Sequence, residues 1–449
     1  MISTKTAFRT TVGLIWVLAL WHAWTARGLF VDGANFLVHI TIHEGFFLFY
    51  SPRVYAMFLG QIPIWIALQF GVTDLHLLGQ LLSLGLFGLP TIFYTMALWR
   101  AKDDPVLLAT VIATIAIVFM TTSFFIVGEY NTLYALTLMI AVWLATAQGL
   151  TLRDAVVVAL ASFLAIRTYE TMLYLGPILA GLTIWKLWLA SFRPVVPALL
   201  YGVSIVCYGF AHVVALDSVV NPYSEEHLEE TWDMALDFWQ NIQFDLVLGA
   251  ALIVVVWGLL RPPALATVRP YRWGGLLLAL LALSPLLALG DTLVRPLAKS
   301  QYVARTVSGL IVAALIILVV LYRSRAGERV PVFAALRTPQ AGRRFLAFAF
   351  AMLLAGLPSD IFLTRTWVSY LDAMRQVVVA NKGPVAFEDT PFATRPHSLL
   401  VENWVLTSQS LLLRSRPGDG IIAPPRDYTG WTPYTLDKPP DLGRYFWQD

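Results

Sequence analysis

Apolar residues in this chain run in long unbroken blocks, not in the alternating or one-faced patterns of a soluble fold. Stretches such as 106–127, 246–260, 276–289 and 310–321 carry no charged residue. With their flanks, each suits a helix crossing a hydrocarbon core ~30 Å thick. The pattern predicts eleven spans, near 11–26, 76–98, 106–127, 131–148, 154–167, 171–190, 195–215, 244–260, 274–290, 306–322 and 345–358. Segment 33–72 breaks the rhythm. Its two apolar halves are separated by Pro52-Arg53, and the second contains Pro63. After 358 the long apolar blocks stop, and Pro, Gly, Asp and Arg return, as in Arg416-Pro-Gly-Asp-Gly.

Charge decides what 33–72 does. If neither half crosses, the basic turns all fall on one side with the N-terminus. That side then holds sixteen cations, from Lys5 and Arg9 to Arg343 and Arg344, against four acids, and the other side is net negative. This is the bias expected of cytoplasmic loops. Residues 27–75 then form a first outer loop whose helices lie along the membrane surface. Residues 216–243 form a second, acidic outer loop. Residues 359–449 form a small outer domain, α/β or irregular, near the lower size limit for folding alone. The expected fold is therefore an all-α polytopic membrane protein, with a membrane domain over 1–358 and its N-terminus in the cytoplasm. Lys5 and Arg9 before an apolar run, with no small-residue cleavage site, read as an uncleaved anchor.

Composition agrees: 58% of residues are hydrophobic and 13% charged, against roughly 25% charged in soluble domains. Cys207 is the single cysteine, which excludes an intrachain disulfide and a cysteine zinc site. Nothing suggests a nucleic-acid partner.

Ionisable groups at span ends are functional candidates, because they are costly there. Asp32 follows the first span and reads either as the N-cap of the next helix or as a general base. Asn35, His39 and His43 follow at helical spacing on the same face. They are either the polar edge of a surface helix or, for the two His with Asp32 or Glu44, part of a metal site. Glu129 and Tyr130 lie in a short outer turn, and Arg167 and Glu170 in another. The last two are spaced to pair with each other or to meet a ligand. Arg53 lies between the two halves of the first loop. Lys299, Tyr302 and Arg305 belong to a cationic cluster entering a span from outside. Cations there fit an anionic partner: the phosphate or pyrophosphate of a lipid, ordinary anionic headgroups, or the acidic second loop.

The layout over roughly 1–310 resembles the GT-C superfamily of polyprenyl-phosphate-dependent glycosyltransferases, among them aminoarabinose transferases and protein O-mannosyltransferases. An acid follows the first span (Asp32), then juxtamembrane helices (34–70) close on Phe70-Gly71, then a basic hairpin (Trp99-Arg-Ala-Lys). Polar outer turns follow (129–131 and Arg167), and then Lys299 and Arg305. Many relatives carry an adjacent acidic pair where this chain has Asp32-Gly33.

The resemblance implies a bacterial inner-membrane enzyme whose site and C-terminal domain face the periplasm. The donor would be a polyprenyl-phosphate sugar and the acceptor a glycan or lipid hydroxyl, with membrane lipid around the site. Asp32 would be the catalytic base and transfer would invert the anomeric centre. Arg53, Arg167, Lys299 and Arg305 would hold phosphate. His39, His43, Glu129, Tyr130, Glu170 and Tyr302 would line the substrate. No metal ligand set is assigned, although the resemblance leaves a divalent metal open. The competing readings are a transporter or flippase for a lipid-linked or anionic substrate, and a non-catalytic membrane scaffold.

Overall fold

The first helix, α1 (Thr4–Trp24), is capped by Ser3, whose side chain accepts from the Thr6 amide. It occurs in a computed structural model that describes residues 2–121, 129–222, 241–288, 307–393, 400–434 and 439–448. Two shorter helices follow, α2 (Asp32–His43) and α3 (Val54–Gln69). At 12 and 16 residues they are about 18 and 24 Å long, shorter than a ~30 Å hydrocarbon core, as is the 14-residue helix at Leu152–Ala165. The turn after α3 passes through Gly71 at φ +75°, a conformation that favours glycine.

The bundle continues with α4 (Leu75–Ala101), α5 (Pro105–Thr114), α6 (Glu129–Thr146), α7 (Leu152–Ala165), α8 (Met172–Leu189), α9 (Val195–Val220), α10 (Ile242–Leu260), α11 (Arg269–Ala288) and α12 (Val307–Arg323). Capping residues are where the sequence puts them. Asp74, Asp104, Thr151 and Asn241 each accept from an amide of the first turn that follows, relieving donors that have no helical partner. The expected span 106–127 is not one plain helix: α5 gives way to a π-helical turn at Ile115–Phe119. Residues 122–128 lie outside the described set.

Two short helices, α13 (Arg325–Glu328) and α14 (Pro331–Leu336), lead to α15 (Pro339–Ala380), which has 42 residues. That is about 63 Å, twice a hydrocarbon core. The boundary drawn at 358/359 therefore falls inside a helix, which carries the chain straight into its last segment. The described part of that segment is mostly irregular. It has a seven-residue helix, α16 (Leu406–Leu412), and two short parallel strands, β1 (Pro384–Val385) and β2 (Ile421–Ile422).

Each of the eleven expected spans overlaps a described helix at least in part. Among the described residues, five helices are long and apolar enough to cross a membrane: α4, α8, α9, α10 and α15. Their lipid-type faces are plain, with Leu199, Val206, Phe210, Leu259 and Leu260 more than half exposed. The chain is a helical, membrane-associated protein.

The bundle has two chemically distinct ends. At one end, the C-terminal residues pack on the first loop. Leu75 N–H donates to Phe446 C=O (3.0 Å), Phe446 N–H to Thr73 C=O (3.3 Å), and the rings of His76 and Trp447 stack at 4.5 Å. Glu44 pairs with Arg444 (2.9 Å) and accepts from the Tyr445 hydroxyl (2.9 Å). At the other end the basic turns meet each other. Arg100 pairs with Asp154 (3.1 Å), Arg323 with Asp104 (3.2 Å), and Lys186 donates to Ala147 C=O (2.6 Å). Helix α4 links the two sets, starting beside Phe446 and ending at Arg100. Its 27 residues separate them by about 40 Å.

Candidate functional site

Arg53 is the hub at the end where the first loop and the C-terminal residues meet. It precedes α3 and lies against the turn between α7 and α8, which Tyr55 anchors by donating its N–H to Arg167 C=O (2.8 Å). Its guanidinium donates through Nε (2.8 Å) and Nη2 (2.5 Å) to one oxygen, Oε1, of Glu170. Glu129, 4% exposed at the first turn of α6, lies 4.0 Å away. The cation is also over the rings of Tyr50 (5.0 Å) and Tyr169 (4.8 Å), an arrangement that favours a guanidinium. Burial opposes the Arg53 charge, but Glu170, Tyr169 and Glu129 outweigh it and hold its pKa well above the usual value.

Asp32 is near enough for its charge to act on Glu129, as the charges of Arg53 and Glu170 do. Tyr130 packs edge-on to Tyr169 at 5.9 Å. The structure thus brings together Asp32, Arg53, Glu129, Tyr130 and Glu170 from four separate parts of the chain. Arg167 adjoins them through its backbone, and its half-buried side chain makes no ion pair among the described residues.

Two expectations need correcting. Asp32 is not an N-cap. Val31 holds that position, at φ +53° and ψ −117°, and Asp32 is the first helical residue. Glu170 does not pair with Arg167, because Arg53 reaches it from the first loop with better geometry. The expected stripe on α2 is present. Asp32, Asn35 and His39 are only partly buried where their neighbours Ala34, Phe36, Leu37 and Val38 are buried, and His43 is exposed. His39 stacks on Phe47 at 4.2 Å and lies 6.1 Å from His43. Burial, and then the charge of His43, lower the His39 pKa. Among the described residues no group of three or more His, Cys, Asp or Glu is placed to hold a metal ion. Lys299, Tyr302 and Arg305, and most of the acidic second loop, lie outside the described residues.

The sequence reading missed a second set, His22, Arg27 and Asp360, all about 2% exposed or less. Asp360 on α15 accepts from Arg27 Nη1 (2.8 Å) and bonds His22 Nε2 (2.9 Å); Arg27 Nη1 also bonds Thr364 Oγ1 (2.8 Å) and contacts the His22 ring. This clamp holds the segment that presents Asp32. The same segment donates Gly28 N–H to Ser83 Oγ (2.9 Å), and accepts at Thr25 C=O from Trp367 Nε1 (3.0 Å) and at Leu29 C=O from Gln409 Nε2 (3.3 Å). Both its ends have positive φ, at Ala26 (+48°) and Val31 (+53°). Such conformations cost about 1–3 kcal/mol each and persist where surrounding contacts over-determine them. The signal available in the sequence was that His22, Arg27 and Asp360 are all ionisable and lie at the ends of expected spans.

A cavity of about 400 Å³ lies at the opposite, arginine-rich end, lined by Arg100, Asp104, Arg323 and Arg337 among others. Arg100 and Arg323 are already paired with acids, and the Arg53 cluster is not part of it.

No protein-family model, curated protein or solved structure matches the chain.

Proposed function

We propose that this chain is a GT-C-type membrane glycosyltransferase, moving a sugar from a polyprenyl-phosphate donor to an acceptor hydroxyl. The observation that carries the reading is the convergence of Asp32, Arg53, Glu129, Tyr130 and Glu170 at the end of the bundle where the first loop meets the C-terminal segment. In this reading all eleven apolar segments cross the inner membrane, α2 and α3 lie at its outer surface, and the arginine-rich turns are cytoplasmic. The Arg53 cluster and residues 381–449 are then periplasmic.

Asp32 takes the proton of the acceptor hydroxyl as its oxygen attacks the anomeric carbon. The bond from that carbon to the phosphate oxygen breaks, and the phosphate leaves with the electron pair. The configuration inverts. Arg167 is the described cation available for the leaving phosphate; Lys299 and Arg305 are the further candidates. Arg53 is committed to carboxylates and keeps Glu129 and Glu170 in place.

The test is transfer of radiolabelled sugar from polyprenyl-phosphate donors, extracted from the source cells, by the purified protein in nanodiscs. Asp32→Asn should abolish transfer while thermal unfolding and donor binding stay close to wild type. Full activity in that variant removes Asp32 as the base.

The buried His22–Arg27–Asp360 set favours a second reading, a proton-coupled transporter, because intramembrane ionisable groups often mark relays. Substrate flux in proteoliposomes that follows a proton gradient, and stops in Asp360→Asn, would support it.

A further inference from the structure

The stripe on α2 does not end at His43. The His39 ring also faces Tyr434 of the C-terminal segment, at 5.8 Å. Three residues before Tyr434 is Trp431, whose ring lies 5.9 Å from Trp404. Trp431 is 65% exposed, the one large apolar side chain exposed among the described residues of 381–448. It emerges from a polar loop in which Arg426, Asp427, Thr429 and Gly430 are all exposed. The loop is pinned, because the Tyr428 hydroxyl donates to Trp431 C=O (3.0 Å). The Tyr428 ring folds so closely over Gly430 that a Cβ there would meet it at 2.5 Å.

Polar atoms accompany these rings. The Tyr434 hydroxyl and Asn35 Oδ1 are buried and have no hydrogen-bond partner among the described residues. Such atoms are few in folded proteins and call for a partner. Asn35 and His39 lie between Asp32 and Tyr434, and Asp32 is about 10 Å from His39 along the helix. Held aromatic faces together with hydroxyl, amide and carboxylate groups suit a ligand that has both C–H faces and many hydroxyls. A sugar ring is such a ligand.

From this we infer that Trp404, Trp431, Tyr434, His39 and Asn35 form a binding track for a neutral saccharide, which leads the acceptor hydroxyl to Asp32. The inference rests on the glycosyltransferase reading for the word acceptor, but the binding it describes needs no donor and no turnover.

The experiment is saturation-transfer NMR on the full chain in nanodiscs. The probes are soluble gluco-, manno- and galacto-oligosaccharides of two to four units. At least one probe should receive magnetisation at its ring C–H protons. Trp431→Ala should weaken its binding about tenfold, as loss of an anchoring tryptophan does. Tyr434→Phe should weaken it about two- to fivefold, the scale of one modest hydrogen bond. Trp431→Phe should restore most of the affinity. Thermal unfolding of Trp431→Ala should not change, since the ring is mostly exposed.

No transfer to any probe, or unchanged affinity in Trp431→Ala, overturns the track. So does a spin label at Trp431→Cys that is shielded from water-soluble nickel and open to oxygen, which would place the ring in the bilayer. Saccharide binding that depends on Trp431 in a protein that transfers no sugar would sink the catalytic reading alone.

Discussion

Replacing Asp360 by Leu removes the acceptor shared by Arg27 and His22 and leaves a guanidinium whose side chain is fully buried. Arg27 keeps Thr364 at 2.8 Å and the Phe87 ring at 5.8 Å, neither of which carries negative charge. Breaking a buried ion pair from one side costs about 3–5 kcal/mol, whereas replacing both partners by apolar residues is often neutral or stabilising. We therefore expect Asp360→Leu and Arg27→Met each to lose about 3–5 kcal/mol. The double variant should lie near wild type, so the coupling energy should be about 6–10 kcal/mol in magnitude. Reversible unfolding of the purified protein in mixed micelles measures this.

Hydrogen exchange at the amides of 26–34 separates stability from positioning. If the clamp holds the Asp32 segment, those amides exchange faster in the double variant although its global stability has recovered. Single variants within about 1 kcal/mol of wild type would refute the buried-charge argument. Wild-type exchange in the double variant would refute the positioning role.

Four further outcomes follow from named contacts. Val31→Gly should cost about 2 kcal/mol less than Val38→Gly, because Gly relieves positive φ at 31 but only adds flexibility inside α2; paired unfolding curves compare them. Gly309→Ala should destabilise, since its Cβ would lie 1.9 Å from the Tyr174 hydroxyl. Adding Tyr174→Phe should recover part of the loss, read as a shift in melting temperature. Glu170→Gln should loosen Arg53 from the α7–α8 turn and cost about 1.5–3 kcal/mol, the range for a hydrogen bond to a charged group; the unfolding midpoint checks it. Burial, and then the charge of His43, lower the pKa of His39 below its usual value of 6.5. The unfolded chain binds its proton first as pH falls, so stability contributed there is present above about 6.5 and lost below it. Acidification through that range should speed hydrogen exchange around 39–47 and Tyr434, and His39→Gln should remove the effect.

How far the fold was legible depended on the kind of signal. Blocks such as 246–260 and 310–321 have one helical reading, so helix positions followed within a few residues. Sidedness came from arginines that repeat at every second turn. In the structure Arg100, Arg323 and Arg337 line one cavity, away from the contact between Thr73–Leu75 and Phe446. The continuation of α15 from 358 to Ala380 was not legible. Beyond Pro358 its composition turns polar, and nothing local distinguishes a span end from a helix that leaves the membrane still coiled. Pairing was less legible still. Arg167 and Glu170 have ideal spacing for each other, yet Arg53, more than a hundred residues away, takes Glu170 because tertiary packing puts it against that turn.

The missed clamp and the candidate site share one physical cause. A short segment must carry the chain out of α1 and turn it into α2 within seven residues, 25–31, and two of those seven, Ala26 and Val31, have positive φ. Local sequence supplies no glycine at either point, so the conformation has to be imposed from outside. The groups that impose it come from α1, α4, α15 and α16: His22, Ser83, Asp360, Thr364, Trp367 and Gln409. Most of that support is contributed by residues more than three hundred positions away. An Asp presented by a strained, externally held turn is costly to maintain for capping alone, and Asp32 does not cap. Its placement makes sense if the carboxylate has to point at something, and Glu129, Arg53 and Glu170 are the groups that share its surroundings.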